Sequence, residues 1–140
     1  MEPVIDIGYE APNQPLILVV DDENSLQTLI FDALDPDYRI VSAHNGREGL
    51  EKATNLRPAA ILMDVMMPDM GGYDAVRLLQ NNEITRSIPV VVMTAQNFDD
   101  STIQLIQQEF NVAAFLRKPF RTRQLREAVK LAIAKGTKAP

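Results

Sequence analysis

The 140-residue sequence has no cysteine, no tryptophan, one histidine, and only three tyrosines and five phenylalanines. Without cysteine, disulfide scaffolds, thiolate zinc sites and cysteine nucleophiles are excluded. A lone histidine, His44, makes a multi-histidine metal site impossible, though it argues only weakly against a Ser-His-Asp triad. No apolar run approaches the roughly 20 residues of a membrane-spanning helix. The acidic N-terminus also lacks the basic start of a secretory signal, so a cytoplasmic protein with no membrane contact is expected. What is present is ordinary for a soluble globular domain: 46% hydrophobic residues, 24% charged residues and a net charge of −5. That length suits one domain around one core.

Charge is unevenly spread. From Arg117 onward eight basic residues face only Glu127, a balance of +7, while the first 116 residues carry −12. A basic C-terminal helix can read as a nucleic-acid or membrane element. No aromatics interleave these charges, so a solvated face that contacts no nucleic acid is the better reading.

Residues 1–15 hold Pro3, Pro12 and Pro15 without periodicity and read as an N-terminal arm. Leu16–Val20 is a continuous apolar run, the habit of a strand buried on both faces. Leu26, Leu29, Ile30, Ala33 and Leu34 then mark one face of a helix, with Asn24 or Ser25 available as its cap and Asp35-Pro36 as its stop. The alternation repeats. Strands are expected at 39–43, 59–63, 88–93 and 112–116, and helices at 46–56, 73–82, 100–110 and along Leu125–Ile133. Five strands alternating with five helices specify an α/β fold, a doubly wound, flavodoxin-like parallel sheet covered on both faces. The domain is placed at 16–135, with a tail at 136–140.

In an open parallel sheet, ligands bind beyond the carboxyl ends of the strands. Here those ends carry Asp21 and Asp22, Asp64, Thr94 and Lys118. Three carboxylates in one crevice repel one another. A hard divalent cation relieves that repulsion, and few protein ligands with room for water favour Mg²⁺. Together with a lysine and a hydroxyl, the set is what phosphoryl oxygens require, and one carboxylate can serve as the nucleophile. Asp64 is the best candidate. Each residue also has a structural reading: an acidic pair can cap a helix, a threonine can make a turn, and a lysine before proline can be solvated. Four strand ends acquiring the complementary set by accident is a poor alternative.

Two rival chemistries fit less well. A flavodoxin needs a phosphate-cradling Ser/Thr/Gly loop after the first strand, where this sequence has Asp21-Asp22-Glu23. A haloacid-dehalogenase-like phosphatase places its second acid two residues after the first. Here the acids are adjacent, and no cap domain is expected.

Val19–Asn24 (VVDDEN), Met63–Gly71 (MDVMMPDMG), Val92–Ala95 (VMTA) and Phe115–Phe120 (FLRKPF) together resemble the receiver domain of two-component response regulators, over about Leu16 to Ala134. The resemblance implies that Asp64 accepts a phosphoryl group from a histidine kinase or phosphotransfer protein. It implies Mg²⁺ held by Asp22, Asp64 and the Met66 carbonyl, with Asp21 acting through a metal-bound water. It implies that Lys118 contacts the phosphoryl group, with a cis Lys118-Pro119 bond, and that Thr94 and Phe115 form a switch pair. Met66 and Gln96, two residues after Asp64 and Thr94, are the positions expected to tune the lifetime of the phosphorylated form.

Such a protein would be no enzyme beyond its own phosphorylation and dephosphorylation. With only Gly136–Pro140 after the last helix, a stand-alone receiver is expected to act through a protein target or a homodimer, using the basic C-terminal face with Arg123 and Arg126. The competing class is a pseudo-receiver that no longer accepts phosphate. The intact acid, threonine and lysine set argues against it. His44 and Gly71-Gly72 are read as turn residues, and Met63, Met66, Met67 and Met70 as packing and loop filler.

Overall fold

Each apolar run becomes a strand. The computed structural model describes residues 14–67, 71–95 and 99–136. Within them the order is β1 (Leu16–Val20), α1 (Asn24–Leu34), β2 (Arg39–Ala43), α2 (Gly46–Leu56), β3 (Ala60–Asp64), α3 (Gly72–Gln80), β4 (Val90–Thr94), α4 (Asp100–Gln107), β5 (Val112–Arg117) and α5 (Thr122–Lys135). The expected arm up to residue 13, the tail from 137, Met70 and Gln96 lie outside the described residues.

The five strands form one sheet in the order β2-β1-β3-β4-β5, with every neighbour parallel. β1 pairs with β2 on one side and β3 on the other, so the chain reverses its direction of travel across the sheet at β1/β3. That switch point opens a crevice at the carboxyl ends of those two strands.

Two apolar layers sandwich the sheet. Ile17, Val19, Leu62, Val91 and Met93 pack beneath α1 and α5. Leu18, Val20, Ile61, Met63 and Val92 face the opposite layer with α2, α3 and α4. Alternate residues of one strand thus serve opposite cores, which explains why β1, β3 and β4 read as unbroken apolar runs.

Several local expectations shift. Asp64 and Thr94 are the last residues of β3 and β4 rather than the residues that follow them. Neither Asn24 nor Ser25 caps α1. Glu23 occupies that position without a side-chain cap bond, and its own N–H donates to the Asp21 carboxylate at 2.8 Å. The buried face of α1 is Gln27, Ile30 and Leu34, whereas Leu29 is exposed. α3 and α4 stop at Gln80 and Gln107, earlier than their periodicity suggests, and turns lead into β4 and β5. Asn45 does more than turn the chain: its side chain caps α2 by accepting the Glu48 N–H. Gly71 has an ordinary φ of −64°, with nothing near its missing side chain, so no turn geometry demands glycine there. Of the methionines, Met63 and Met67 are core residues and Met66 is half exposed.

Candidate functional site

β1 and β3 run side by side with Val20 level with Met63, which brings Asp21 beside Asp64. One oxygen from each of Asp21, Asp22 and Asp64 lies within 4.8 Å of the others. Asp21 is fully buried and Asp64 nearly so, while Asp22 opens to solvent. Each buried acid is oriented by a backbone donor just beyond it. Asp21 Oδ1 accepts the Glu23 N–H at 2.8 Å, and Asp64 Oδ1 accepts the Met66 N–H at 2.9 Å.

Their second oxygens face one cation. Lys118 Nζ lies 3.2 Å from Asp21 Oδ2 and 3.3 Å from Asp64 Oδ2, with Glu23 at 3.9 Å. The lysine arrives from the end of β5, where its own N–H donates to the Thr94 carbonyl at 2.7 Å. The next bond, Lys118-Pro119, is cis, as is Asp35-Pro36.

Electrostatics reflect crowding. Burial pushes the Asp21 carboxyl above the ordinary carboxylate range. Asp64 adds to that rise, while the Glu23 N–H and Lys118 oppose it. Burial likewise works against the Lys118 charge, but attraction to Asp64 and Asp21 outweighs it and holds the ammonium above its ordinary value. One ammonium among three carboxylates leaves a negative surplus. Hard oxygen donors at this spacing, one of them solvent-facing, fit a divalent cation such as Mg²⁺ that keeps several waters.

Thr94 is buried one strand away, and among the described residues its hydroxyl makes a long 3.4 Å contact to the Ala95 carbonyl. Phe115 lies on β5 opposite Val92, half-buried against the α2/α3/α4 core. It also borders a cleft of about 510 Å³ with Ile103, Gln107, Leu116 and Gln124. A second, more apolar cleft of about 600 Å³ opens beside Lys118, lined by Leu26, Leu29, Ala95, Pro119 and Phe120. The structure therefore groups Asp21, Asp22, Asp64 and Lys118, buries Thr94 at the end of the neighbouring strand β4, and places Phe115 one strand further on, on β5.

The basic C-terminal face is less free than its composition suggests. Arg126 turns inward, donating to the Ala33 carbonyl at 2.7 Å and pairing with Asp37. Arg123 stays exposed and pairs with Glu127 one turn on. Sequence reasoning also passed over Gln27, a buried polar residue at the end of the acid loop's first helical turn. The available signal was a polar side chain three residues before Ile30 and seven before Leu34, on the buried stripe of α1.

A sheet of this order, with an acid cluster at its switch point and a lysine on a cis-proline turn, defines a class. The chain belongs to the response regulator receiver domain family, whose model matches residues 17–130. Receiver domains are the signalling domains of two-component phosphorelays. Phosphorylation on aspartate and Mg²⁺ in the acidic site are general properties of the family. The chain is 34% identical over 113 residues to hybrid signal transduction histidine kinase D of Dictyostelium discoideum, covering 81% of this chain and 7% of that protein. It is 32% identical over 115 residues to the alkaline phosphatase synthesis transcriptional regulatory protein PhoP of Bacillus subtilis, covering 81% of this chain and 46% of PhoP. The chain thus spans less than half the length of both curated relatives. Among solved structures, it is similar to a sensor histidine kinase receiver domain from Pseudomonas aeruginosa PAO1 with magnesium coordinated in its active-site cleft. The TM-score is 0.77 and the identity 29%, covering 86% of this chain and 98% of that one. Among the described residues, no helix is long and apolar enough to cross a membrane.

Proposed function

We propose that this chain is a phosphorylation-dependent switch in which Asp64 accepts a phosphoryl group from a histidine kinase or histidine phosphotransfer protein. One observation carries the reading: a single lysine bridges two buried acids that share their pocket with a third, solvent-facing one. The Asp64 carboxylate attacks phosphorus as the bond to the donor's imidazole nitrogen breaks, and the imidazole leaves with the electron pair. The Met66 N–H keeps one Asp64 oxygen fixed, which orients the carboxylate for attack. Lys118, already 3.3 Å from Asp64, is placed to stabilise charge on the transferred group. Asp21, Asp22, Asp64 and the Met66 carbonyl would hold Mg²⁺, which when bound supplies the remaining neutralisation of phosphoryl oxygens.

Thr94 and Phe115 are the proposed switch pair. Among the described residues the Thr94 hydroxyl is held by one long contact, which does little to oppose its turning toward a phosphoryl oxygen. Phe115, half in the core and half on its cleft, has room to follow. The apolar cleft beside Lys118 offers footing to a phosphodonor next to the acids. The α4–β5–α5 cleft faces a downstream protein target or a second copy. We place one receiver domain at 16–135, between an arm and a short tail. Action is expected in the cytoplasm.

Met66, half exposed and two residues after Asp64, is the residue we propose to shield the acyl phosphate from water, and Gln96 is the companion tuning position. Met66→Asn should dephosphorylate several-fold faster; an unchanged rate would refute the shielding role. Treatment with acetyl phosphate and Mg²⁺, then borohydride reduction, tests the acceptor: a phospho-aspartate becomes homoserine, expected at position 64. Homoserine elsewhere, or none, would overturn the assignment.

A further inference from the structure

We propose that Gln27 is a positioning residue for the cation site, holding Asp22 in place through the carbonyl of Asp21; the inference rests on the reading that the acid cluster binds Mg²⁺. Asp21 and Asp64 each have a backbone N–H on one oxygen and Lys118 near the other. Asp22 is exposed, and its side chain has no hydrogen bond or ion pair among the described residues. Its place is therefore set by its backbone, beginning with the Asp21–Asp22 peptide.

Gln27 grips that peptide. Its Nε2 donates to the Asp21 carbonyl at 2.8 Å and to the Ala43 carbonyl at 2.9 Å. The Ala43 carbonyl also accepts the Asp21 N–H at 3.0 Å. One side-chain amide from α1 thus ties the acid loop to the end of β2 and closes a ring around the residue before Asp22.

The chemistry argues for position rather than stability. Gln27 is 7% exposed, on the same buried face as Ile30 and Leu34, where an apolar side chain would fit the packing but would leave the Asp21 carbonyl without this donor. Among the described residues its Oε1 has no hydrogen-bond partner, an unfavourable state for a buried amide oxygen. What glutamine adds over leucine or methionine is two donors, one to the Asp21 carbonyl in the acid loop and one to the Ala43 carbonyl that receives the Asp21 N–H. Residues behind metal ligands commonly fix ligand orientation in this way.

Mg²⁺ affinity, read by calorimetry on the full chain, tests the proposal. Gln27→Met keeps length and apolar packing but removes both donors; affinity should fall about 10-fold. In an Asp22→Asn background the same substitution should cost less than about twofold, because its effect passes through Asp22. Gln27→Glu supplies the decisive sign. Added negative charge alone would tighten Mg²⁺ binding, whereas a carboxylate opposed to two carbonyls should weaken it. Wild-type protein gives an answer even if a variant fails to fold. In an amide NMR titration with Mg²⁺, the Gln27 side-chain NH₂ signals should shift in step with the Asp22 backbone amide while those of Gln80 stay still. Unchanged affinity in Gln27→Met, an equal loss without Asp22, tighter binding in Gln27→Glu, or static Gln27 signals would each overturn the proposal. Wild-type protein that fails to bind Mg²⁺, or binds it equally with Asp64→Asn, would overturn the cation reading itself, and this inference with it.

Discussion

Replacing Lys118 with methionine removes the cation that sits between two buried acids and keeps most of its stem. At an effective dielectric constant near 20, contacts of 3.2 and 3.3 Å are each worth roughly 5 kcal/mol of gross attraction. Desolvation offsets most of this, since the side chains of Asp21, Asp64 and Lys118 are 0%, 3% and 22% exposed. Exposed pairs contribute about 0–1 kcal/mol, whereas breaking a buried pair costs about 3–5 kcal/mol. Lys118 is open to solvent on one side, so the expected loss is about 2 kcal/mol, or a Tm lower by roughly 6–10 °C. The Lys118 pKa is raised above 10.5, so its stabilising contribution is fully present below that value and is lost as pH rises through the folded-state value. The gap between wild type and variant should therefore be wide at pH 7 and close in alkali. Urea denaturation without Mg²⁺ measures it. Adding Mg²⁺ should restore stability, by about 2.7 kcal/mol at a hundred times its Kd. A variant as stable as wild type at pH 7 without metal would refute the reasoning.

Asp21→Asn should act in the opposite direction. The folded protein holds the Asp21 proton more tightly than the unfolded chain does, so its charge opposes folding at neutral pH and that penalty fades as pH falls through the raised value. Without metal, the variant should unfold at higher urea than wild type at pH 7, with the difference shrinking in acid; a lower midpoint would contradict this. Gly49→Ala sets two effects against each other. A Cβ there would sit 2.9 and 3.1 Å from the two methyls of buried Val20, an overpacking cost of about 1–3 kcal/mol. The gain in helix propensity is about 1 kcal/mol. A net loss near 1 kcal/mol is expected in denaturant unfolding, and net stabilisation would show that Val20 yields easily.

Strand identity was legible because both faces of β1, β3 and β4 are buried, which leaves continuous apolar runs. The acids, Thr94 and Lys118 were legible because a parallel sheet gathers its strand ends in one place. Helix faces and ends were harder. Leu29 fits the apolar period of α1 yet lies exposed beside the cleft near Lys118, while Gln27 breaks the period yet is buried. Local pattern weights hydrophobicity, and the demand of the Asp21 and Ala43 carbonyls for donors is a tertiary fact. The start of α1 also differs: Glu23 takes the cap position, with its N–H on the Asp21 carboxylate. Composition likewise could not show that Arg126 spends its guanidinium on Ala33 and Asp37. A charge-reversal test of the C-terminal face therefore belongs at Arg123 and Lys130, since Arg126→Glu would also break contacts within the domain.

Intact-protein mass after incubation with acetyl phosphate and Mg²⁺, beside Asp64→Asn, tests the central claim most directly. The account predicts a gain of one phosphoryl group in the wild type that requires Mg²⁺ and is absent from the variant. No gain in the wild type, or an equal gain in both proteins, would contradict it.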